Sequence, residues 1–502
     1  MLPDRAEAPA RATGYHLSMQ KPVHALLATL LATHLTCQSS AQPSTQPTKE
    51  MAEIAAAYAA KVTASAVFVS GRTLDSVLAE ELAPTRPLET LIRPFLKFDI
   101  DRENRTVTCR LLTATAVAVA TKNLGCTLVH PEFPAKGLRT REAPSRADDV
   151  PADPAVWPVK WPLGDRLPDV TTEGTPEGVD MKALTEAIDA AFAESPTGPR
   201  VNTRALVVVF RGRLVAERYA AGYRADMALP GWSMSKTIVN ALVGIRIAQG
   251  ALDPDAPLAV PEWNATPDDP RQKLRLHDLL SMTSGLAWNE SYDDPQGDAL
   301  RMLFRSSDHG GVFAQQDQSQ APGVKFRYSS GCTNLVCRIL RSTFASDADY
   351  WAFPGHALFG PLGMRTAVLE TDPSGTFVGS SYGFMCARDW ARFGLLYAGD
   401  GEVAGRRILP KGWVAKSARS EPCSEGRFGD HIWLNADPDG DGPRERKWAD
   451  LPADMLRMDG HEGQYVIVMP TEQIVIVRLG CTKSGGFDLH GLAARVRDAC
   501  RH

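Results

Sequence analysis

The chain has 502 residues, of which 44% are hydrophobic and 23% charged, and a formal net charge of −4. Such a length supports two or three domains and a large buried core. The near-neutral balance, with no basic run and no aromatic-interleaved basic patch, argues against a nucleic-acid partner.

The first 41 residues predict an export signal. From Met19 a start carrying Lys21 leads into the apolar stretch 25–35, and Ser39-Ser40-Ala41 fits a small-x-small cleavage site. The apolar stretch is too short to span a bilayer. The mature chain is therefore expected to have no membrane span and to be periplasmic or secreted. Cys37 offers a lipoprotein alternative, although His34 stands where an aliphatic residue is wanted. The nine cysteines show no Cys-x-x-Cys and no metal-ligand spacing. Export would permit disulfides, and Cys109 with Cys126 is one conceivable pair across adjacent strands. Cys332 and Cys337 share one predicted helix and read as small buried residues.

After a Gln-, Pro-, Ser- and Thr-rich leader at 42–50, a small N-terminal α+β module is expected over 51–130. Residues 51–60 and 74–82 read as helical, and Ala66-Val67-Phe68-Val69 reads as a strand. Residues 98–101 and 106–109 predict a hairpin, and 115–120 a further strand. Recurring prolines predict an irregular linker over 131–177. The second domain is expected over 178–502. Residues 205–210 and 214–219 form a predicted strand hairpin with a Gly turn. Residues 237–249 are apolar nearly all round, which predicts a central buried helix stopped by Gly250. A helical, loop-rich middle follows at about 270–420. The chain closes with a second hairpin, 464–469 and 474–479, apolar on both faces and so placed inside a covered sheet, and with a helix at about 487–500. Strands from both ends around a helical middle predict an α+β sandwich, an antiparallel sheet flanked by helices with a helical subdomain beside it.

Three sites in this second domain carry chemistry. Ser233 and Lys236 lie one turn apart at the opening of the buried helix, where both side chains share a face. A hydroxyl needs a base to act as nucleophile, and a buried lysine with a lowered pKa can be that base. The free N–H groups of a helix start would stabilise an oxyanion. The bare Ser-x-x-Lys spacing is weak by itself, since Ser18-Met19-Gln20-Lys21 repeats it in the predicted signal. The second site is Tyr328-Ser329-Ser330, before a helix predicted from about Asn334, where a phenol can serve as base and then acid. The third is Gly460-His461-Glu462-Gly463-Gln464, leading into the apolar strand. Its glycines allow close approach of a substrate carbonyl, and the N–H of Gln464 could join that of Ser233 as an oxyanion hole.

This set, in this order, resembles the serine hydrolases of the β-lactamase and penicillin-binding-protein superfamily, and within it the class C β-lactamase-like, 6-aminohexanoate-dimer hydrolase and esterase branch. Residues 276–286, Trp288-Asn289-Glu290-Ser291-Tyr292 and 386–394 add to the resemblance. It implies a β-lactamase/transpeptidase-like fold, a small amide or ester substrate, and neither metal nor organic cofactor. It further implies Ser233 as acylated nucleophile and Lys236 with Tyr328 as proton relay. Tyr292, His461 and Gly463 would bind substrate, with His461 in the place of a lysine common in relatives. Ser330 stands where many relatives have Asn, which counts against recognition of a β-lactam side chain. D-aminopeptidase, D,D-peptidase or β-lactamase activity on the same fold, or a non-catalytic binding protein, are the competing readings. Gly231-Trp232-Ser233-Met234-Ser235 nearly spells the elbow of an α/β-hydrolase but lacks the preceding strand and the second glycine. Asp437-Pro438-Asp439-Gly440-Asp441 imitates a calcium loop, with Trp448 where the twelfth-position Glu should stand.

Overall fold

A computed structural model describes residues 45–84, 90, 93–144, 160–165, 177–195, 200–292, 294, 296–435, 446–483 and 486–501. The predicted signal, Cys37, and the acidic loop from Asp437 lie outside these residues.

The principal sheet has six antiparallel strands. They are β5 (Thr203–Phe210), β6 (Arg213–Tyr219), β10 (Trp433–Leu434), β11 (Leu456–Gly460), β12 (Gln464–Met469) and β13 (Ile474–Gly480), in the spatial order β10-β11-β12-β13-β5-β6. Strands from both ends of the region 203–480 thus meet inside this sheet, where Val207 pairs with Val477. Strand alternation sends Leu206, Val208, Ile467 and Ile476 to one face, against helices α2 (Met181–Phe192) and α6 (Leu489–Ala499). Val207, Val209, Val466 and Val475 turn to the opposite face and join the main core with Trp390 and Phe393 of α5 (Ala387–Ala398). Both faces being covered explains why these strands read as unbroken apolar runs.

Helix α3 (Ser235–Ala248) is buried from Ser235 to Ile245, as its composition predicts, and Gly250 follows it at φ +71°. A small sheet of β7 (Leu229–Pro230), β8 (Val368–Leu369) and β9 (Gly383–Met385) leads into it. The helix after Tyr328, α4 (Ser330–Ser342), starts four residues earlier than expected, with the Ser329 side chain accepting from Cys332 N–H as its cap.

The N-terminal segment differs from expectation in two places. Residues 66–69 do not form a strand. They end α1 (Thr45–Phe68), and Gly71 at φ +68° with Arg72 N–H on Ala66 C=O closes that helix. The strand preference of Val67, Phe68 and Val69 is overridden because α1 is sandwiched between the rest of the core and a four-stranded sheet, β1 (Leu96–Asp101), β2 (Thr106–Leu111), β3 (Ala114–Thr121) and β4 (Gly125–Leu128). By length and composition alone the 49–68 stretch could cross a membrane, yet 83% of its most apolar window is buried in protein. Cys109 and Cys126 are not on adjacent strands, because β3 lies between them, and both are free thiols.

One core runs through both parts of the molecule, from Ile54 and Ala56 of α1 to Met234 and Leu242. Polar contacts reinforce the junction. Lys61 pairs with fully buried Glu370, which also accepts from Ser65 Oγ at 2.9 Å and Cys126 N–H at 2.7 Å. Arg72 and Arg204 share Glu81, and Lys483 reaches both Glu81 C=O, at 2.6 Å, and Glu462, at 2.5 Å.

Candidate active site

The turn Trp232–Met234, a short 3-10 segment, carries Ser233 and runs directly into α3. Its shape is locked from beneath. Ser235 Oγ donates to Trp232 C=O at 2.7 Å and accepts from Gly383 N–H at 2.9 Å, and Gly231 N–H bonds Gly383 C=O at 2.8 Å. Ser235 is therefore structural. Trp232 sits at φ +49°, a left-handed conformation costly for an aromatic residue and held by its surroundings next to the candidate nucleophile.

Lys236, 2% exposed, points its Nζ at Ser233 Oγ (3.0 Å), Ser330 Oγ (3.2 Å) and Ser380 C=O (2.9 Å). Burial lowers its pKa to about 8, against an upward pull from Glu290 and Cys332. Tyr328 faces Ser233, whose hydroxyl pulls the phenol's pKa down against burial, and its ring lies 4.8 Å from Lys236 Nζ. It is stacked on Trp433 and edged by Phe428, so burial pushes its phenol well above the ordinary range. An amine from the next helical turn and a phenol from 95 residues further along thus face one oxygen. His431 packs behind them, its N–H on Leu280 C=O and its Nε2 3.2 Å from Thr333 Oγ1. Burial, then the charge of Lys236, depress its pKa to about 3, so it stays neutral.

The third motif forms the turn between β11 and β12. Gly460 packs on the chain before the nucleophile so closely that a Cβ there would lie 2.2 Å from Gly231 C=O. Gln464 opens β12 and is buried, with its amide clasping Gly480 (Nε2 to C=O 2.7 Å, N–H to Oε1 3.0 Å). Gly463 has its own structural reason. At φ +81° it faces Arg478, whose Nη1 donates to its C=O at 2.6 Å. His461 stacks on Tyr292 (centroids 6.2 Å apart) and meets Trp232 edge-on (5.5 Å). Burial lowers its pKa, which keeps its imidazole neutral near pH 7.

Glu290 is the residue that sequence reasoning missed. Its carboxylate accepts from Ser330 N–H (2.8 Å), Ser330 Oγ (2.5 Å), Tyr292 OH (3.0 Å) and Trp288 Nε1. It thereby ties the loop tyrosine to the serine that contacts Lys236, and its charge raises the Lys236 pKa against burial. It lies two residues from Tyr292 in a stretch already singled out, and that proximity was the available signal. His277 is no ligand; it bridges Asp430 and Glu421, whose hydrogen bonds raise its pKa to about 9. His309-Gly310-Gly311 opens a short helix whose Phe313 packs edge-on against Trp288. Among the described residues no group of three or more His, Cys, Asp or Glu could hold a metal ion.

Comparison with known proteins places this geometry in context. The profile of the beta-lactamase family matches residues 188–501. The 6-aminohexanoate-dimer hydrolase of Paenarthrobacter ureafaciens is 26% identical over 294 residues, covering 55% of this chain and 72% of that protein. Among solved structures, a penicillin-binding protein homologue from Caulobacter crescentus superposes with a TM-score of 0.48 at 14% identity, over 64% of this chain and 97% of that one. A D-stereospecific amidohydrolase from Streptomyces sp. gives 0.47 at 16% identity, over 63% and 98%.

Proposed function

Given that this chain belongs to the beta-lactamase family and is a serine hydrolase, we propose that it cleaves a small linear amide or ester through an acyl-enzyme on Ser233. The observation that carries the reading is the Lys236 amine, buried, shifted to a pKa of about 8 and 3.0 Å from the Ser233 hydroxyl. A useful fraction of that amine is unprotonated near neutral pH, whereas the phenol of Tyr328, pushed up by burial, stays protonated. Lys236 is therefore the base. As Ser233 Oγ bonds to the carbonyl carbon, its proton passes to Lys236 Nζ. The backbone N–H groups of Ser233 and Gln464 take the oxyanion. When the tetrahedral adduct collapses, Tyr328 gives its proton to the leaving nitrogen or oxygen and is reprotonated from Lys236. Water then attacks the acyl-enzyme with the same groups acting in reverse, releasing the acid and restoring Ser233.

Tyr292 and His461 make an aromatic wall suited to a flat, linear amide, and Ser330, bound to Lys236 and Glu290, offers no side-chain amide for a β-lactam. The similarity to a 6-aminohexanoate-dimer hydrolase supports the linear-amide reading. The test is a fluorophosphonate probe with mass analysis, beside a panel of nitrophenyl esters, nylon-type oligomers, D-amino-acid peptides and nitrocefin. Labelling of Ser233 with turnover of esters or linear amides supports the proposal. Turnover of nitrocefin alone would overturn the substrate class. Export directed by residues 1–41 is part of the same proposal, checked by fractionating cells that express the full chain.

Two predictions arise directly. A lysine whose pKa is depressed is protonated and inactive below that value, so kcat/KM should climb as pH rises through about 8 and level off above it. A profile flat across that interval removes Lys236 from the role of base. Tyr328→Phe should cost roughly 2–4 kcal/mol of barrier on an anilide. The loss should be smaller on a nitrophenyl ester, whose leaving group departs without a proton. Equal losses on the two substrates would take Tyr328 out of leaving-group protonation.

A further inference from the structure

The four-stranded N-terminal sheet has two edges in different surroundings. Strand β4 is docked on the rest of the molecule: Cys126 N–H donates to Glu370 Oε1 at 2.7 Å, and Thr127 Oγ1 to Thr371 C=O at 3.0 Å. At the opposite edge lies β1, which among the described residues pairs with β2 alone. Its outward row of N–H and C=O groups is a template for a further strand. Alternation turns Leu96, Phe98 and Ile100 to the core side of the sheet and leaves Lys97 and Asp99 exposed on the other. Those three apolar residues are only half-buried, although their partners on β2 (Leu111, Cys109 and Val107) are each 0% exposed. An apolar strip thus stays partly uncovered along the edge. Phe95 and Leu112, 51% and 59% exposed, flank its end, where Leu96 pairs with Leu111.

What fits this edge is written in its own sequence. Backbone N–H and C=O groups alternate in direction along a strand, so an antiparallel partner must match that alternation. A strand that pairs with its own copy about a twofold axis therefore centres that axis on a residue. An axis on Lys97 sets Lys97 against Lys97, and one on Asp99 sets Asp99 against Asp99, both like-charge contacts. An axis on Phe98 sets Lys97 opposite Asp99 of the second copy, and by symmetry does so twice. It also sets Phe98 against Phe98 and Leu96 against Ile100, so the two half-covered strips close over each other on the core side. A lone lysine on an edge strand repels strand addition. The aspartate two residues on turns that repulsion into selectivity for this one register.

We propose that β1 is the surface through which two copies of this chain associate, joining their four-stranded sheets into one of eight strands with Phe98 on the twofold axis and Lys97 paired to Asp99 of the second copy. The N-terminal segment is then an assembly module, fixed to the hydrolase part along β4 and to its own copy along β1. The inference is independent of the reading of Ser233.

The experiment is sedimentation velocity of the full-length protein over a concentration series. The wild type should show a monomer–dimer equilibrium. Lys97→Asp and Asp99→Lys each put like charges opposite each other twice, and each should weaken the dimer by about 10-fold or more. A mixture of these two variants restores both opposite-charge pairs in the heterodimer, so it should associate about as tightly as the wild type. Both substitutions are at exposed positions, and circular dichroism checks that the fold survives. If either fails to fold, Lys97→Ala and Asp99→Ala stand in, with a weakening of about 3-fold expected. A separate arm needs no charge change: mild oxidation of Phe98→Cys should link two copies through position 98, as its place on the axis demands. A wild type that stays monomeric up to its solubility limit overturns the proposal. So does a dimer that the substitutions at 97 and 99 leave intact, since it is built elsewhere. A mixture of the two reversed variants that fails to associate overturns the register.

Discussion

Replacing Ser233 with alanine is expected to abolish turnover of every substrate while leaving the folded protein intact. The oxygen removed is the one that Lys236 Nζ approaches at 3.0 Å and that Tyr328 faces. Loss of a serine nucleophile from a positioned relay costs on the order of 10⁶ in kcat, the scale seen in subtilisin. The stability cost should be about 1 kcal/mol or less, because Lys236 Nζ keeps Ser330 Oγ and Ser380 C=O as partners. The measurements are ester and amide hydrolysis, acyl-enzyme mass and a thermal melt. Hydrolysis at an unchanged rate would refute the assignment of the nucleophile.

The largest expected effect on stability lies elsewhere, at Glu370. Glu370→Ala should destabilise the protein by about 3–5 kcal/mol, the usual consequence of stripping one partner from a buried ion pair. The Glu370 side chain is 0% exposed and that of Lys61 only 3%, so the ammonium would be left in a low-dielectric interior with its anion gone. Ser65 Oγ and Cys126 N–H would lose their acceptor as well. The packing is equally demanding: a Cβ at Gly125 would come within 2.5 Å of the Glu370 side chain. Denaturant titration checks the value. A Glu370→Ala variant with an unaltered midpoint would show that the junction is held by apolar packing alone.

The parts legible in the sequence were those where one physical demand acts alone. Strands β5, β12 and β13 are covered on both faces, so they read as apolar runs. Helix α3 is enclosed by core, so it reads as apolar all round. Ser233, Lys236 and Tyr328 were legible because each sits at an element start with a distinctive neighbourhood. Glu290 was hidden because it acts through Ser330, and a carboxylate in a polar loop carries no periodic mark. Strand β11 was hidden because it buries Arg457, held by Asp459 two residues along, and so interrupts the expected alternation. Residues 66–69 misled for the opposite reason: their local preference is for a strand, and the sandwiching of α1 between sheet and core outweighs it. The aromatic contacts of His461 with Tyr292 and Trp232 are assembled from separate segments and have no sequence signature at all.

The pairing of β5 with β13 at the middle of the sheet has a consequence for synthesis. While the ribosome is still adding the helical middle, Ser233 and Lys236 already exist, but the hairpin bearing Gln464 does not, and β5 has an unpaired edge. Such long-range closure is slow and leaves nascent chains prone to sticking to one another. A growing polypeptide therefore lacks the strand that carries Gln464 until the last part of the chain has been made, and the sheet closes only when β12 and β13 pair against β5.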